Sequence, residues 1–156
     1  MPAASDHDRL LDAQYTGGLP IRGFVDQKGK VGDLLGTFSA SLYLIGDRFK
    51  KLLEENAIGG WRAYPTICEG LQSPGEWWVL GIAGRGGPVR TGQEAARAGL
   101  DPLDQGLDPR EWDGSDLFHP ANEGTILVTT RAAQVLERAH LKNVVLERTG
   151  FTPIPP

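Results

Sequence analysis

Two stretches of the chain carry apolar residues at helical spacing, each flanked by strand-like residues. The first is Leu44–Trp61. Its residues Phe49, Leu52 and Leu53 recur at the three- to four-residue spacing of an amphipathic helix. The stretch therefore predicts a strand, a helix and a second strand. Asp47 stands where a helix N-cap is expected, because its carboxylate can accept the first free backbone N–H groups.

The second stretch, Leu127–Val144, aligns with the first without a gap at an offset of 83 residues. It predicts a second strand-helix-strand unit, so that the two units span about 43–64 and 126–147. Most of the shared residues are apolar or suited to capping a helix. Arg48 and Arg131 are the matching residues with long polar side chains, and we predict that both units stabilise the fold rather than perform the function.

The remaining chain predicts short strands and many turns. Residues Gln93–Ala98 predict one or two helical turns. The segments 1–16 and 151–156 are expected to be loosely ordered tails. The predicted strands are Ile21–Val25, Phe38–Ile45, Trp61–Tyr64 with an edge continuation past Pro65 at Thr66–Glu69, Trp77–Ala83, Thr125–Val128 and Val144–Glu147.

Strands outnumber helices, and the spacings between them are typical of hairpins. The sequence therefore predicts an α+β fold, a mainly antiparallel sheet packed by two short helices, within a single domain over 1–156. The alternative is two β-α-β units with a parallel pair in each, which the repeat also permits.

Composition narrows the classes of function. The 156 residues are 40% hydrophobic and 23% charged, which is typical of a globular chain. The net charge of −4 argues against nucleic acid as the main ligand, since phosphate binding needs a basic face, and it suits a basic protein partner. No Cys/His spacing suits zinc, and we expect no metal or cofactor. Without a signal-peptide pattern or a long apolar run, the expectation is a soluble, cytoplasmic protein with no membrane contact.

Gly84–Pro88 superficially resembles a phosphate-binding loop, in which backbone N–H groups surround an anion. It lacks the lysine and the following helix of such a loop, and Pro88 removes a donor. The sequence favours a tight turn between strands, with glycines that permit positive φ angles.

Other candidates for chemistry also favour a structural role. Asp113 and Asp116 could bind a cation or act as paired carboxylates, but Asp-Gly is a common turn dipeptide and the spacing does not extend to a calcium loop. Cys68 with His119 or His140 would be a nucleophile and base. Cys68 lies in a predicted strand without an activating helix N-terminus, so a catalytic pair is disfavoured.

Trp77 and Trp78 are adjacent on one predicted strand and must point to opposite faces of the sheet. If one enters the core, the other needs cover from the second face. That cover is either intramolecular or a protein partner, in which case the tryptophan is an interface anchor. The sequence leaves both open.

Several blocks, in order and spacing, resemble a known family over about Phe38 to Glu147. The matching blocks are Leu44–Leu53, Gly60–Pro65, Leu80–Pro88, Trp112–Phe118, Ile126–Arg131 and Leu141–Asn143. They resemble the bacterial immunity proteins encoded beside polymorphic toxins, in particular the family catalogued as immunity protein eleven, formerly a domain of unknown function. Members of that family tend to carry a longer N-terminal portion.

The resemblance implies a non-enzymatic inhibitor that binds a cognate toxin and protects the producing cell. It carries over no catalytic, cofactor-binding or metal-binding residues. An acidic surface speeds encounter with a basic toxin, so we predict contact through residues 101–116, here called the acidic segment, and through an uncovered tryptophan. The predicted partner-binding residues are Trp78, Asp104, Asp108, Trp112, Asp113 and Asp116.

Two alternatives belong to other classes of function. One is a small-ligand-binding or enzymatic domain around Gly84–Pro88 and Asp113/Asp116, which predicts a deep pocket with converging polar groups. The other is a structural interaction module of a phage or secretion assembly.

Overall fold

The structure, a computed structural model, describes residues 5–24, 30–37, 41–71 and 75–155. Within these residues the fold is α+β, as predicted. The helices are α1 Asp6–Leu11, α2 Asp47–Glu55, α3 Gly92–Arg97 and α4 Thr130–Arg138, with a 3₁₀ turn at Pro109–Glu111. The strands are β1 Ile21–Phe24, β2 Leu34–Gly36, β3 Tyr43–Gly46, β4 Trp61–Glu69, β5 Trp77–Ile82, β6 Gly84–Arg85, β7 Gln105–Leu107, β8 Leu117–His119, β9 Leu127–Val128 and β10 Phe151–Pro153.

The largest sheet has the strand order β1-β4-β5-β3-β2 and is mainly antiparallel. β5 lies between β3 and β4 and runs antiparallel to both, while β1 is parallel to β4. A smaller sheet has the order β6-β8-β9, and β7 pairs with β10. Because β5 separates β3 from β4, the alternative of a parallel pair within each unit is not the arrangement observed.

The first predicted unit is confirmed as β3-α2-β4, but the second is only partly so. β9 and α4 are present, whereas residues 144–150 are irregular and the predicted strand Val144–Glu147 does not form. In the first unit, β4 forms its ladder with β5. No described strand lies beside 144–150, so that segment has no partner for a ladder.

The large sheet separates two apolar clusters, and the two adjacent tryptophans divide between them. Trp77 belongs to the cluster that includes Leu10 of α1 and Leu44 of β3. Trp78 packs against the other cluster, which is built from α2, α4 and the opposite face of β5. The opposite orientation predicted for the pair is therefore confirmed, and intramolecular packing contributes to the cover of both rings.

Both presumed tails contain ordered elements, contrary to expectation. Ser5 and Asp8 form a capping box that begins α1, which packs onto the sheet through Leu10. At the other end, β10 pairs with β7, and Ile154 is buried. Burial of apolar side chains and backbone pairing offset the conformational entropy that these segments lose when they form α1 and β10. Residues 1–4 and 156 lie outside the described residues.

One local prediction about the first unit needs correction, and another is confirmed. Gly46, not Asp47, occupies the N-cap position of α2, and Asp47 is the first helical residue, where its carboxylate pairs with Lys51 at 2.7 Å. The predicted continuation of the strand past Pro65 is confirmed, since β4 runs through the proline to Glu69. The described part of β1 pairs only with the portion of β4 after Pro65, so the missing N–H of the proline removes no bond to β1. The predicted strand residues Val25 and Phe38 lie outside the described residues.

Within the described residues, no helix combines the length and apolar character needed to cross a bilayer.

Candidate functional site

The sequence repeat extends further in the structure than the aligned stretches indicated. At the same offset of 83 residues, the bounds of β2 correspond to those of β8 and the bounds of α2 to those of α4. The antiparallel pairing of β2 with β3 and of β8 with β9 follows the same register. We define the first unit as residues 33–67, whose strands β3 and β4 flank β5, and the second unit as residues 116–150. As far as the ends of α2 and α4, the two units are structural duplicates.

An aspartate at the start of the second unit gathers donors from both units. The Arg131 guanidinium contacts the Asp116 carboxylate, and its Nη atoms donate to the carbonyl oxygens of Asn56 at 3.1 Å and Ala57 at 3.0 Å. The Gly59 N–H donates to Asp116 Oδ2 at 3.0 Å. This Asp116 cluster therefore binds the C-terminal end of α2, whose last carbonyls lack helical partners.

The first unit returns the same arrangement. Arg48 donates to Asp33 Oδ2 at 3.2 Å and to the carbonyl of Ala139 at the end of α4, and the Lys142 N–H donates to Asp33 Oδ2 at 2.7 Å. In this Asp33 cluster, as in the Asp116 cluster, each arginine binds the helix end of the other unit. The prediction that Arg48 and Arg131 brace the fold is confirmed by these contacts.

Asp116 is consequently committed to the interior of the fold. Burial acts most strongly and raises the pKa of this carboxyl, but hydrogen bonds from Arg131, Gly59 and Thr129 together lower it below its ordinary value. The side chain stays ionised at neutral pH and has no proton to donate as a general acid. Its carboxylate oxygens accept hydrogen bonds from Arg131, Gly59 and Thr129 within the fold.

Asp113 contacts the glycine-rich segment Gly84–Pro88 through a hydrogen bond to its backbone. The Arg85 N–H donates to Asp113 Oδ2 at 2.8 Å, and the Ser115 N–H donates to Oδ1 at 2.9 Å. Burial raises the pKa of Asp113, and these bonds lower it further than burial raises it, so the net shift is downward. The Gly84 N–H donates to the Gly60 carbonyl oxygen and the Gly86 N–H to the His119 carbonyl oxygen. The N–H groups of Gly84, Arg85 and Gly86 are thus already used within the fold and do not point at an anion.

Gly84–Pro88 is not the predicted turn with positive φ angles. Gly84 lies in β6, parallel to β8, and its φ is not in the positive range. A Cβ at Gly84 would lie 2.1 Å from the Leu117 carbonyl oxygen, and a Cβ at Gly60 would meet the same atom at 2.1 Å. Close packing of backbone against backbone, rather than turn geometry, requires glycine at position 84.

The cysteine and histidine candidates have local partners. The Cys68 thiol lies 3.7 Å from the Thr66 hydroxyl on the same strand. His119 is buried on β8, with Nδ1 3.0 Å from the Thr125 carbonyl oxygen, and burial lowers its pKa. The described residues contain no group of three or more His, Cys, Asp or Glu side chains placed to hold a metal ion.

The acidic segment divides into paired and unpaired carboxylates. Asp108 is buried, and the hydrogen bonds from the Arg110 side chain and backbone lower its pKa to about 2. Glu111 pairs with Arg90 at 2.7 Å. Asp101 and Asp104 form no ion pair with any described residue.

Trp78 and Trp112 are both half-buried. The Lys50 ammonium lies 5.1 Å from the centre of the Trp78 ring. The Trp112 indole donates to the Ser115 carbonyl at 3.0 Å, and its ring lies 5.7 Å from that of Phe118. Trp78 thus lies on the large sheet beside Lys50 of α2, whereas Trp112 lies beside Phe118 of β8.

Of the six predicted partner-binding residues, Asp108 and Asp116 are buried, and Asp113 is exposed but accepts backbone hydrogen bonds with both oxygens. Asp104 is half-buried, like the two tryptophans. That these residues contact a partner stays a prediction. Reasoning from sequence missed Asp33, although Asp33-Leu34 and Asp116-Leu117 match at the offset of the repeat.

A groove opens beside the second unit. It has a volume of about 890 Å³, within the range of roughly 300–1,000 Å³ of clefts that hold ligands. β9 with the residues before it forms one side, and residues 144–151 form the other. Its floor is made of apolar side chains from the core, namely Leu34, Phe49, Leu80, Leu117 and Leu136.

No protein-family model matches this chain, and a search of curated proteins finds none significantly similar to it.

Proposed function

We propose that this protein is a non-enzymatic binding protein that neutralises a cognate bacterial toxin and so protects the producing cell. The observation that carries the proposal is which carboxylates are used within the fold and which have no ion pair. Those that suggested chemistry, Asp113 and Asp116, have lowered pKa values and structural hydrogen bonds. Asp101 and Asp104 form no ion pair with the described residues and lie on a turn-rich surface segment.

The charge of the chain supports a basic partner. The net charge is −4, and Asp101 and Asp104, which form no ion pair with the described residues, add a local negative field. Such a field speeds association with a positively charged protein and makes the association rate fall as salt rises. The sequence resemblance to toxin-immunity proteins supports the same class of partner.

The test is protection and binding with the toxin encoded beside this chain. Co-expression with that toxin should allow growth, and continued killing would refute the proposal. For binding, the double variant Asp101→Lys/Asp104→Lys should slow association about tenfold or more at low salt, since steering spans roughly 10- to 1,000-fold. The matched control is Glu55→Lys/Glu137→Lys, which makes the same charge change on exposed faces of α2 and α4.

Equal association rates for the two double variants would refute the acidic segment as the contact region while leaving protection itself as a separate result. Slower association of the Asp101/Asp104 variant alone, with the difference disappearing in high salt, is the expected result. Asp108 is left out of the design because its burial and pairing with Arg110 would confound binding with folding.

A further inference from the structure

The second unit has an open place where the first unit holds a strand. In the first unit, β5 lies between β3 and β4. At the offset of the repeat, β9 corresponds to β3, and residues 144–150 correspond to the first part of β4. Among the described residues, no strand lies between β9 and 144–150. The groove described above opens at that place.

The backbone of β9 is oriented to pair into this groove. The Thr129 N–H donates to the Asp116 carbonyl oxygen at 2.9 Å. Because successive residues of a strand point their backbone N–H and C=O groups to opposite sides, this bond shows which residues of β9 bond toward β8. Thr129 and Leu127 therefore bond toward β8, and the N–H and C=O groups of Ile126 and Val128 point the other way. β9 is the edge strand of its sheet within the described residues. An unpaired edge of this kind is a template for a further strand.

The repeat also indicates the chemistry of the missing strand. In the first unit, Trp78 and Leu80 of β5 lie opposite Ile45 and Tyr43 of β3, and both side chains face the core shared with α2 and α4. The floor of the groove is apolar, and Val145 on its rim is 80% exposed. An occupant thus needs apolar side chains at alternate positions.

Charges near the groove favour basic flanks on the occupant. Glu123, Glu147 and Arg148 line it, which leaves an excess of negative charge. A strand flanked by lysine or arginine meets complementary charge there, within a chain of net charge −4.

We propose that the groove between β9 and residues 144–150 accepts an extended strand of a partner protein, apolar at alternate positions and paired antiparallel to β9. The added strand takes the place that β5 holds in the first unit, so main-chain hydrogen bonds supply affinity and the apolar floor supplies selectivity. This inference rests on the internal repeat and not on the proposed toxin partner.

The probe is a fluorescein-labelled peptide with the sequence of Trp77–Ile82 between pairs of lysines, titrated with the full chain. Fluorescence anisotropy should show saturable binding with a Kd below about 1 mM, the weak end of specific association. The control peptide carries N-methyl groups on the amides of its Trp78 and Leu80 equivalents. These are the donors that face β9 in the transferred register, so the control should not bind.

Two protein variants localise the binding. Val145→Glu places a charge on the rim at an exposed position and should weaken binding about tenfold, since it removes roughly the burial of one valine. Phe24→Glu makes the same kind of change at a side chain that is 76% exposed on β1, outside the groove and the acidic segment, and should leave binding unchanged. Neither side chain is buried, so both variants should fold.

Four results of the peptide experiments would overturn the proposal. They are absence of saturable binding, equal binding of the N-methylated peptide, equal weakening by Phe24→Glu, and amide shift changes on β3 and β4 that show the peptide replacing β5. A concentration-dependent dimer that Val145→Glu abolishes would assign the groove to a second copy of this chain instead, and would also overturn it. Amide shift changes confined to β9 and 144–150 are the expected result.

Discussion

Replacing Arg131 by methionine tests the Asp116 cluster most directly. The change keeps much of the volume of the side chain but removes the charge and all its donors. Asp116, with a side chain only 13% exposed, would keep the hydrogen bonds from Gly59 and Thr129 and lose its counter-ion. Two carbonyls at the end of α2, Asn56 and Ala57, would also lose their arginine donors.

The expected loss of stability follows from these contacts. Removing one partner of a fully buried ion pair costs about 3–5 kcal/mol, and a hydrogen bond to a charged group contributes about 1.5–3 kcal/mol. Because Arg131 is 55% exposed and Asp116 keeps two donors, we expect a smaller loss than for a fully buried pair, about 2–3 kcal/mol in the free energy of unfolding. For a domain of this size that corresponds to a fall in Tm of roughly 4–12 °C.

Urea unfolding followed by circular dichroism measures the loss. The matched control is Arg138→Met on the same helix, an exposed arginine without an ion pair to any described residue, which should change the free energy of unfolding by less than about 0.5 kcal/mol. The double variant Arg131→Met/Asp116→Asn should recover part of the loss, because no charge is then left unpaired. If Arg131→Met unfolds at the same urea concentration as Arg138→Met, the cluster does not stabilise the fold as argued.

Two further predictions concern acid and backbone packing. The folded-state pKa of Asp108 is lowered to about 2 by Arg110, below its unfolded value near 4, so its contribution to stability is complete above about pH 4 and is lost as pH falls to 2. Urea unfolding measures the fall in the free energy of unfolding between pH 5 and pH 2, and this fall should be smaller in Asp108→Asn than in the unmodified protein. An equal fall in both would contradict the prediction. Gly84→Ala places a Cβ 2.1 Å from the Leu117 carbonyl oxygen and should cost about 1–3 kcal/mol or more in thermal unfolding, whereas Gly18→Ala, with no atom within 4 Å, should cost little. Equal melting temperatures for the two variants would show that the backbone at Gly84 relaxes.

The sequence predicted the helices of the repeat well because their apolar spacing and their ends are local signals. The hydrophobic stripe of α2 indicates its position without reference to other elements, although the helix ends at Glu55, before Gly59 and Gly60. The partner strands were harder, since a strand forms only if a neighbour is present. Val144–Glu147 has the composition of a strand and is irregular, because the place that β5 fills in the first unit is open in the second.

The candidate site was the least predictable part. Asp113 and Asp116 look alike in sequence, yet one binds the backbone of a neighbouring segment and the other joins two helix ends. Those roles depend on contacts between residues far apart in the chain. Asp33 was recoverable from the sequence, since it matches Asp116 at the offset that relates Arg48 to Arg131.

The exchange of helix-end contacts between the two units has a consequence for how the chain folds. The bonds that run between the two units join residues 57 to 109 positions apart, so they form only after much of the chain has closed on itself. Closing such long loops costs entropy before any contact is gained, and folding slows as the mean separation of contacting residues grows. The carbonyl groups at the C-terminal end of each helix thus gain their arginine donor late, because that arginine belongs to the other unit. We therefore expect the C-terminal contacts of the two helices to form together, late in folding.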